Sequence, residues 1–351
     1  MEFNVKSLLR KNIANLVPYS SARDEFSGIA EMFLDANENS LGSPTTKWYN
    51  RYPDPSQKLL KEKVASIKGI PTSQIFLGNG SDEPIDILFR AFCEPVIDNV
   101  MILPPTYGMY EVSANINNVA ITAIPLTENF QPDLDAIANG INEHTKIIWI
   151  CSPNNPTGNS IDIQAIEMIL LNFNGIVVVD EAYINFSRHR SWIPELIDFP
   201  NLVVLQTLSK AWGLAGLRIG MAFGSEEIIH VMNTIKSPYN ICQPAQDITL
   251  NALENLDQVN DMIKILVDER ALLAAALASL PIVENIYPSD ANFLLVRFKD
   301  AQLVYDYLAS VGIIVRNRSK IEQTKNCLRI TVGTPSENKQ LIKRLQEIII
   351  P

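Results

Sequence analysis

The chain has few of the residues from which metal centres and disulfide frameworks are built. It holds four cysteines and three histidines in 351 residues. Cys93, Cys151, Cys242 and Cys327 form no CxxC pair, which removes the zinc-knuckle and dithiol readings and leaves reduced thiols, the usual state in the cytoplasm. His144, His189 and His230 show no HExxH spacing, so no metal site is expected. Positive charge is scarce as well: 29 Lys and Arg stand against 39 Asp and Glu, for a net charge of -10. That balance argues against nucleic acid or an anionic membrane surface as a partner. No apolar run reaches the roughly 20 residues of a membrane helix. Residues 1–18 lack the unbroken hydrophobic stretch of an export signal, so a cytoplasmic, soluble protein is expected. GxSxG and P-loop sequences are missing too, which takes away hydrolase and nucleotide-binding alternatives.

What is present is enough apolar residue, 47% of the chain, to build one large domain with a smaller partner. Short apolar runs at 100–103, 119–124, 147–151, 176–179, 202–205 and 219–223 alternate with segments of helical periodicity, the pattern of strands crossing over through helices in a mostly parallel sheet. Most runs are apolar on both faces, as a sheet covered on both sides requires. A long amphipathic helix is predicted near 258–280. Beyond it, strands at 291–298, 313–316 and 327–332 and helices near 302–311 and 336–348 read as a small α+β domain. The expected division is an N-terminal arm at 1–30, a large domain at 31–245 and a small C-terminal domain at 246–351.

Ligands of open α/β sheets bind beyond the carboxyl ends of the strands, and those ends are rich in polar chemistry here. They lead into Pro104-Pro105-Thr106-Tyr107, Ser152-Pro153-Asn154-Asn155-Pro156-Thr157-Gly158, Asp180-Glu181-Ala182-Tyr183 and Gln206-Thr207-Leu208-Ser209-Lys210. A single lysine is usually a solvated one. Lys210, however, is flanked by Thr207, Ser209 and Arg218, two hydroxyls and a guanidinium suited to a phosphate near an amine that can form a Schiff base. Asp180 closes an apolar strand and needs a cationic or hydrogen-bonding partner. A pyridinium nitrogen, a helix cap or a buried arginine each satisfies that need. Asn155 and Tyr183 can donate to a ring oxygen, although Asn-Pro-Thr-Gly is also a good turn in any protein. Tyr107 offers a flat face, and an aromatic at such a position is often plain core. Gly80, Ser81 and Asp82 precede an apolar helix whose first amides face an anion or simply start the helix.

Taken jointly, Asn155-Pro156-Thr157-Gly158, Asp180-Glu181-Ala182-Tyr183, Ser209-Lys210-Ala211 and the glycine-rich 213–220 resemble the fold-type-I, pyridoxal-phosphate-dependent aminotransferases, in that family's order and across nearly the whole chain. Pro18-Tyr19-Ser20-Ser21-Ala22-Arg23, Leu34-Asp35-Ala36-Asn37-Glu38-Asn39 and Arg51-Tyr52-Pro53-Asp54-Pro55 are similar to the histidinol-phosphate aminotransferases among them, with Ser40 where a proline is usual. The resemblance implies pyridoxal 5'-phosphate as cofactor, joined to Lys210, with Asp180 at the ring nitrogen, Asn155 and Tyr183 at the ring oxygen and Tyr107 stacked on the ring. It implies a phosphate cup of Gly80, Ser81, Asp82, Thr207, Ser209 and Arg218. It also implies a homodimer in which Tyr52 reaches the cofactor phosphate of the neighbouring subunit. Substrate contacts fall on Arg329, Arg316, Tyr19 and Asn37. The implied reaction is transamination of L-histidinol phosphate with 2-oxoglutarate, giving imidazole-acetol phosphate and L-glutamate. Transamination of aromatic amino acids and decarboxylation of threonine phosphate remain alternatives on the same framework.

Overall fold

The computed structural model describes residues 3–17, 19 and 31–348. The arm motif at 18 and 20–23 therefore lies outside the described residues, apart from Tyr19. Seven strands make the main sheet: β1 (Ile75–Asn79), β2 (Asn99–Ile102), β3 (Ala120–Ala123), β4 (Thr145–Cys151), β5 (Ile176–Asp180), β6 (Leu202–Thr207) and β7 (Ile219–Gly224), in the order β1-β7-β6-β5-β4-β2-β3. The six runs expected from sequence are all strands. Helices α1 (Lys58–Lys68), α2 (Asp82–Phe92), α3 (Met109–Ile116), α4 (Leu134–Gly140), α5 (Ile163–Asn172) and α6 (Glu226–Ile235) connect them or cover them.

Every residue of β5, β6 and β7 is buried, because helices and loops pack on both faces. Alternate side chains feed two separate cores. Ile148, Ile150, Val177, Val179, Leu202 and Val204 point to one, while Trp149, Ile176, Val178, Val203 and Leu205 point to the other, as the two-residue period of a strand dictates.

Two features depart from a uniformly parallel reading. β1 was not expected, and β7 runs antiparallel to both β1 and β6. The reversal has a positional consequence: β7 begins at the edge where β1, β2, β4, β5 and β6 end, so Arg218, just before it, joins their loops. The close approach there needs glycine, since a Cβ on Gly220 would lie 2.2 Å from the carbonyl carbon of Gly80.

The second sheet is antiparallel, with β8 (Val283–Ile286), β9 (Phe293–Phe298), β10 (Arg316–Asn317) and β11 (Cys327–Thr331) in the order β10-β11-β9-β8. The strand expected at 313–316 is shorter and later than foreseen. The Ile313 amide instead closes the end of α9 (Ala301–Ser310) by donating to Leu308 O at 2.8 Å, with Gly312 at φ +80°. The long helix is α8 (Leu256–Ala278), preceded by α7 (Gln243–Ala252), and the chain closes on α10 (Pro335–Gln346). α7 runs through the expected 245/246 junction, and its Ala245, with Leu253 and Val259 beyond it, packs into the main core. α8 ties the two parts together: the buried guanidinium of Arg270 donates to Phe186 O at 3.3 Å and to Ala291 O at 2.8 Å.

No helix among the described residues is long and apolar enough to cross a membrane. All four cysteines are free; Cys242 is exposed and the others are buried.

Candidate active site

One pocket at the carboxyl edge of the main sheet is lined by residues from five connections. It brings together Ser81, Asp82, Tyr107, Asn155, Asp180, Tyr183, Thr207, Ser209, Lys210 and Arg218, along with Cys151 and Ala182. Gly80 immediately precedes Ser81 and is hydrogen-bonded to Arg218.

Asp180 is the last residue of β5, in register with Cys151 on β4 and Leu205 on β6, which is why it is buried. Its Oδ2 accepts from the Tyr110 hydroxyl at 2.7 Å and its Oδ1 from the Ala182 amide at 3.1 Å. Among the described residues, no arginine pairs with it. Burial raises its pKa, and the Tyr110 and Ala182 hydrogen bonds oppose that rise. The Lys210 cation also favours its charged form. Tyr110 is itself held by stacking on Trp149, with ring centroids 4.9 Å apart.

Lys210 follows the tight turn after β6, where the Ser209 amide donates to Thr207 Oγ1 at 3.1 Å. Its side chain opens to the pocket, with Nζ 5.8 Å from the centroid of the Tyr183 ring. Partial burial lowers its pKa, Arg329 lowers it further, and Asp180 pulls the other way. A depressed ammonium pKa raises the fraction of free amine, the nucleophilic form.

The phosphate cup assigned by resemblance is assembled around an arginine in a left-handed conformation, Arg218 at φ +56°. Its carbonyl accepts from the Gly80 amide at 2.7 Å. A Cβ at Gly80, itself at φ +72°, would come within 2.2 Å of Arg218 Nη2, so only glycine permits this placement of the guanidinium. Asp82 is turned differently from a simple phosphate contact. Its carboxylate accepts from the Tyr107 hydroxyl at 3.1 Å and pairs with Arg218 Nη2 at 3.3 Å; what it offers an anion is its amide in the first turn of α2. Ser209 Oγ is buried with no hydrogen-bond partner, an unmet donor of the kind a phosphate oxygen satisfies.

Asn155 and Arg329 meet across the two sheets. Arg329 Nη1, from β11, donates to Asn155 Oδ1 at 2.6 Å, its guanidinium carbon stands 5.3 Å from the Phe293 ring centroid, and Asn155 Nδ2 donates to the Tyr183 hydroxyl at 3.4 Å. Tyr183 packs edge-on to Phe293 at 5.1 Å, and burial raises its pKa. The turn itself is secured by Asn154, which donates to Pro105 O and Thr157 Oγ1, leaving Asn155 for the pocket.

Arg316 lies opposite Arg329 in the β10–β11 ladder. Tyr19, 71% exposed, Asn37 and Tyr52 are not brought to the Lys210 pocket. Asn37, at φ +53°, and Tyr52 line a separate cavity of about 490 Å³, where Tyr52 stacks on Tyr239 at 4.4 Å. Tyr110 and Cys151 were missed from sequence. Tyr110 stands one helical turn after Tyr107, a spacing that puts both on one face; Cys151 ends its strand as Asp180 ends the next.

A family model described as aminotransferase class I and II matches residues 33–345. The histidinol-phosphate aminotransferase of Cytophaga hutchinsonii is 53% identical over 346 residues, 99% of each chain. Among solved structures, the histidinol-phosphate aminotransferase of Clostridium acetobutylicum aligns with a TM-score of 0.78 at 22% identity, over 85% of this chain and 90% of that one. That of Sinorhizobium meliloti, solved in complex with pyridoxal-5'-phosphate, gives 0.77 at 22% identity over 89% of both. The two structures speak for a shared fold, while the family match and the full-length identity speak for descent. On that evidence the chain belongs to the aminotransferase class I and II family, among its histidinol-phosphate aminotransferases.

Proposed function

We propose that the chain is a pyridoxal-phosphate-dependent aminotransferase that exchanges the amino group of L-histidinol phosphate with 2-oxoglutarate, giving imidazole-acetol phosphate and L-glutamate. The observation that carries the reading is the convergence of the Lys210 amine and the buried Asp180 carboxylate on one pocket, with the Arg329 guanidinium donating to Asn155 in its wall.

The pocket's residues fit the cofactor. The unpartnered Ser209 Oγ, the Gly80 backbone held against Arg218 and the first amides of α2 suit its phosphate. Asp180 suits its ring nitrogen, and Asn155 with Tyr183 its ring oxygen. When bound, pyridoxal phosphate supplies an aldehyde and an electron-accepting ring.

The chain's own work is then positional and acid–base. Lys210 would hold the cofactor through its amine and, when that amine is free, would carry a proton to and from the substrate Cα. Asp180 would hold the ring nitrogen in its protonated form, and Tyr107 would lie against the ring. Arg329 grips an anionic group of either substrate, since its planar fork matches carboxylate and phosphate alike, and Arg316 stands beside it. Tyr52 acts in the cofactor site of a second copy of the chain, and Tyr19 and Asn37 contact the substrate. The exposed Leu41, Trp48 and Tyr52 support a homodimer, and the enzyme works in the cytoplasm.

The test is an amino-donor panel of histidinol phosphate, phenylalanine, tyrosine and threonine phosphate, each with 2-oxoglutarate. Highest kcat/KM for histidinol phosphate supports the reading. A preference for phenylalanine or tyrosine replaces it with aromatic transamination, and carbon dioxide release from threonine phosphate without a keto acid replaces it with decarboxylation.

A further inference from the structure

The second sheet carries a third guanidinium beside the two already assigned. Arg316 pairs with Arg329 and Asn317 with Leu328, and the register continues one residue further, since the Arg318 amide donates to Cys327 O at 2.9 Å. Side chains alternate across a strand, so Arg316 and Arg318 share the face of Cys327 and Arg329. That face looks toward the main sheet. Cys327 packs in the main core, Arg329 reaches Asn155, and the intervening Leu328 and Ile330 turn the other way into the core of the second sheet.

Arg318 has no obvious structural employment on that face. Its Nε is buried without a hydrogen-bond partner. Among the described residues, no carboxylate lies within ion-pair distance of Arg316, Arg318 or Arg329. Burial, joined by the nearby charges of Arg329 and Arg316, lowers the Arg318 pKa to about 10, against the opposing pull of Tyr183 in the Lys210 pocket. Three like charges on one face repel one another, and an anion bound between them relieves that repulsion in proportion to its charge. A carboxylate brings one negative charge, whereas a phosphomonoester at neutral pH brings about 1.5 to 2, with three acceptor oxygens.

We propose that Arg318 is a specificity-determining residue, the third guanidinium of a substrate-anion site that favours a phosphomonoester over a carboxylate. The inference rests on the transamination reading above and adds to it the residue that sets donor preference. Arg329 and Arg316 provide for either anion; Arg318 supplies the extra charge and donors that only the dianion uses in full.

The experiment compares Arg318→Gln and Arg318→Lys with wild type in the two half-reactions, histidinol phosphate and glutamate as amino donors, each followed separately. Loss of one charge-assisted contact to phosphate predicts that Arg318→Gln lowers the ratio of kcat/KM for histidinol phosphate to that for glutamate about tenfold, mainly through KM. Competitive inhibition by inorganic phosphate weakens in parallel, and Arg318→Lys recovers part of both. An unchanged ratio in Arg318→Gln, or an equal loss with both donors, overturns the inference while leaving transamination intact. A wild-type enzyme that never turns over histidinol phosphate overturns the function itself, and that is seen before any variant is made.

Discussion

Directly behind Asp180, on the opposite side of the strand end, a second carboxylate is buried with no cation in contact. Glu181 Oε2 accepts from Ser191 Oγ at 2.6 Å and Gln206 Nε2 at 2.8 Å, and Oε1 accepts from the Trp192 amide at 2.6 Å. Lys68 stands one residue away, donating to Gln206 Oε1 at 2.7 Å. Burial outweighs these bonds and raises the Glu181 pKa from 4.5 to about 7. A carboxyl that holds its proton more tightly in the folded chain than in the unfolded one favours folding below pH 4.5, and that advantage is lost as pH rises toward 7. Glu181→Gln copies the protonated form, with one donor and one acceptor, and removes the titration. At 1.36 kcal/mol per pH unit, the shift predicts that wild type loses roughly 2–3 kcal/mol relative to Glu181→Gln between pH 5 and pH 8. In a chain of this size that is a change of roughly 5 °C in the gap between their melting temperatures. Thermal unfolding of both proteins, saturated with cofactor, at half-unit steps across this range measures it. Melting curves that keep a constant gap from pH 5 to 8 would show that Glu181 is ionised throughout, and the argument from burial would be wrong.

Three further substitutions probe the pocket. Lys210→Ala should leave a protein that binds pyridoxal phosphate without a borohydride-reducible link and transaminates at under about a thousandth of the wild-type rate; a retained adduct at another lysine removes the central assignment. Tyr110→Phe deletes the hydroxyl that supports the Asp180 charge, so the Asp180 pKa climbs further, the acid limb of the kcat–pH profile moves to higher pH, and kcat falls about 10- to 100-fold, the worth of one hydrogen bond to a buried charge. An unshifted profile would mean that Tyr110 only packs. Gly80→Ala forces a methyl against Arg218 and should weaken cofactor affinity at least about tenfold, measured by fluorescence titration, with the melting temperature of the cofactor-free protein changed far less; equal cofactor affinity would show that Arg218 takes no part in the cup.

The sequence revealed what local pattern can encode. The central strands were legible because both faces are covered, leaving unbroken apolar runs, and each run ends abruptly at the polar residue that enters the pocket. β1 was hidden because its five residues end in Gly78-Asn79 and its one partner, β7, lies some 140 residues on, so nothing nearby announces it. The direction of β7 was illegible for a different reason: a two-residue period reads the same forwards and backwards. Asp180 drew attention as a carboxylate ending an apolar strand, yet its partner Tyr110 is 70 residues earlier and competes in sequence with a cap or an arginine.

The same limit governs the second sheet, where register decides chemistry. A strand ending at Arg316 leaves Arg318 in a loop with no defined direction. Moving the pairing two residues along, so that the ladder spans Arg316 to Arg318, turns both guanidinium groups onto the face of Arg329. The shift follows from α9 capturing the Ile313 amide, a helix-end hydrogen bond that no apolar pattern signals. Pocket residues borne on parallel strand ends can thus be found from the runs that carry them, because one edge collects them all. Residues whose meaning depends on pairing between distant strands, as Arg318 with Cys327 or Arg329 with Asn155, acquire it only when the register is known. Arg318 is therefore the position at which sequence reasoning alone would most readily have assigned a solvated arginine.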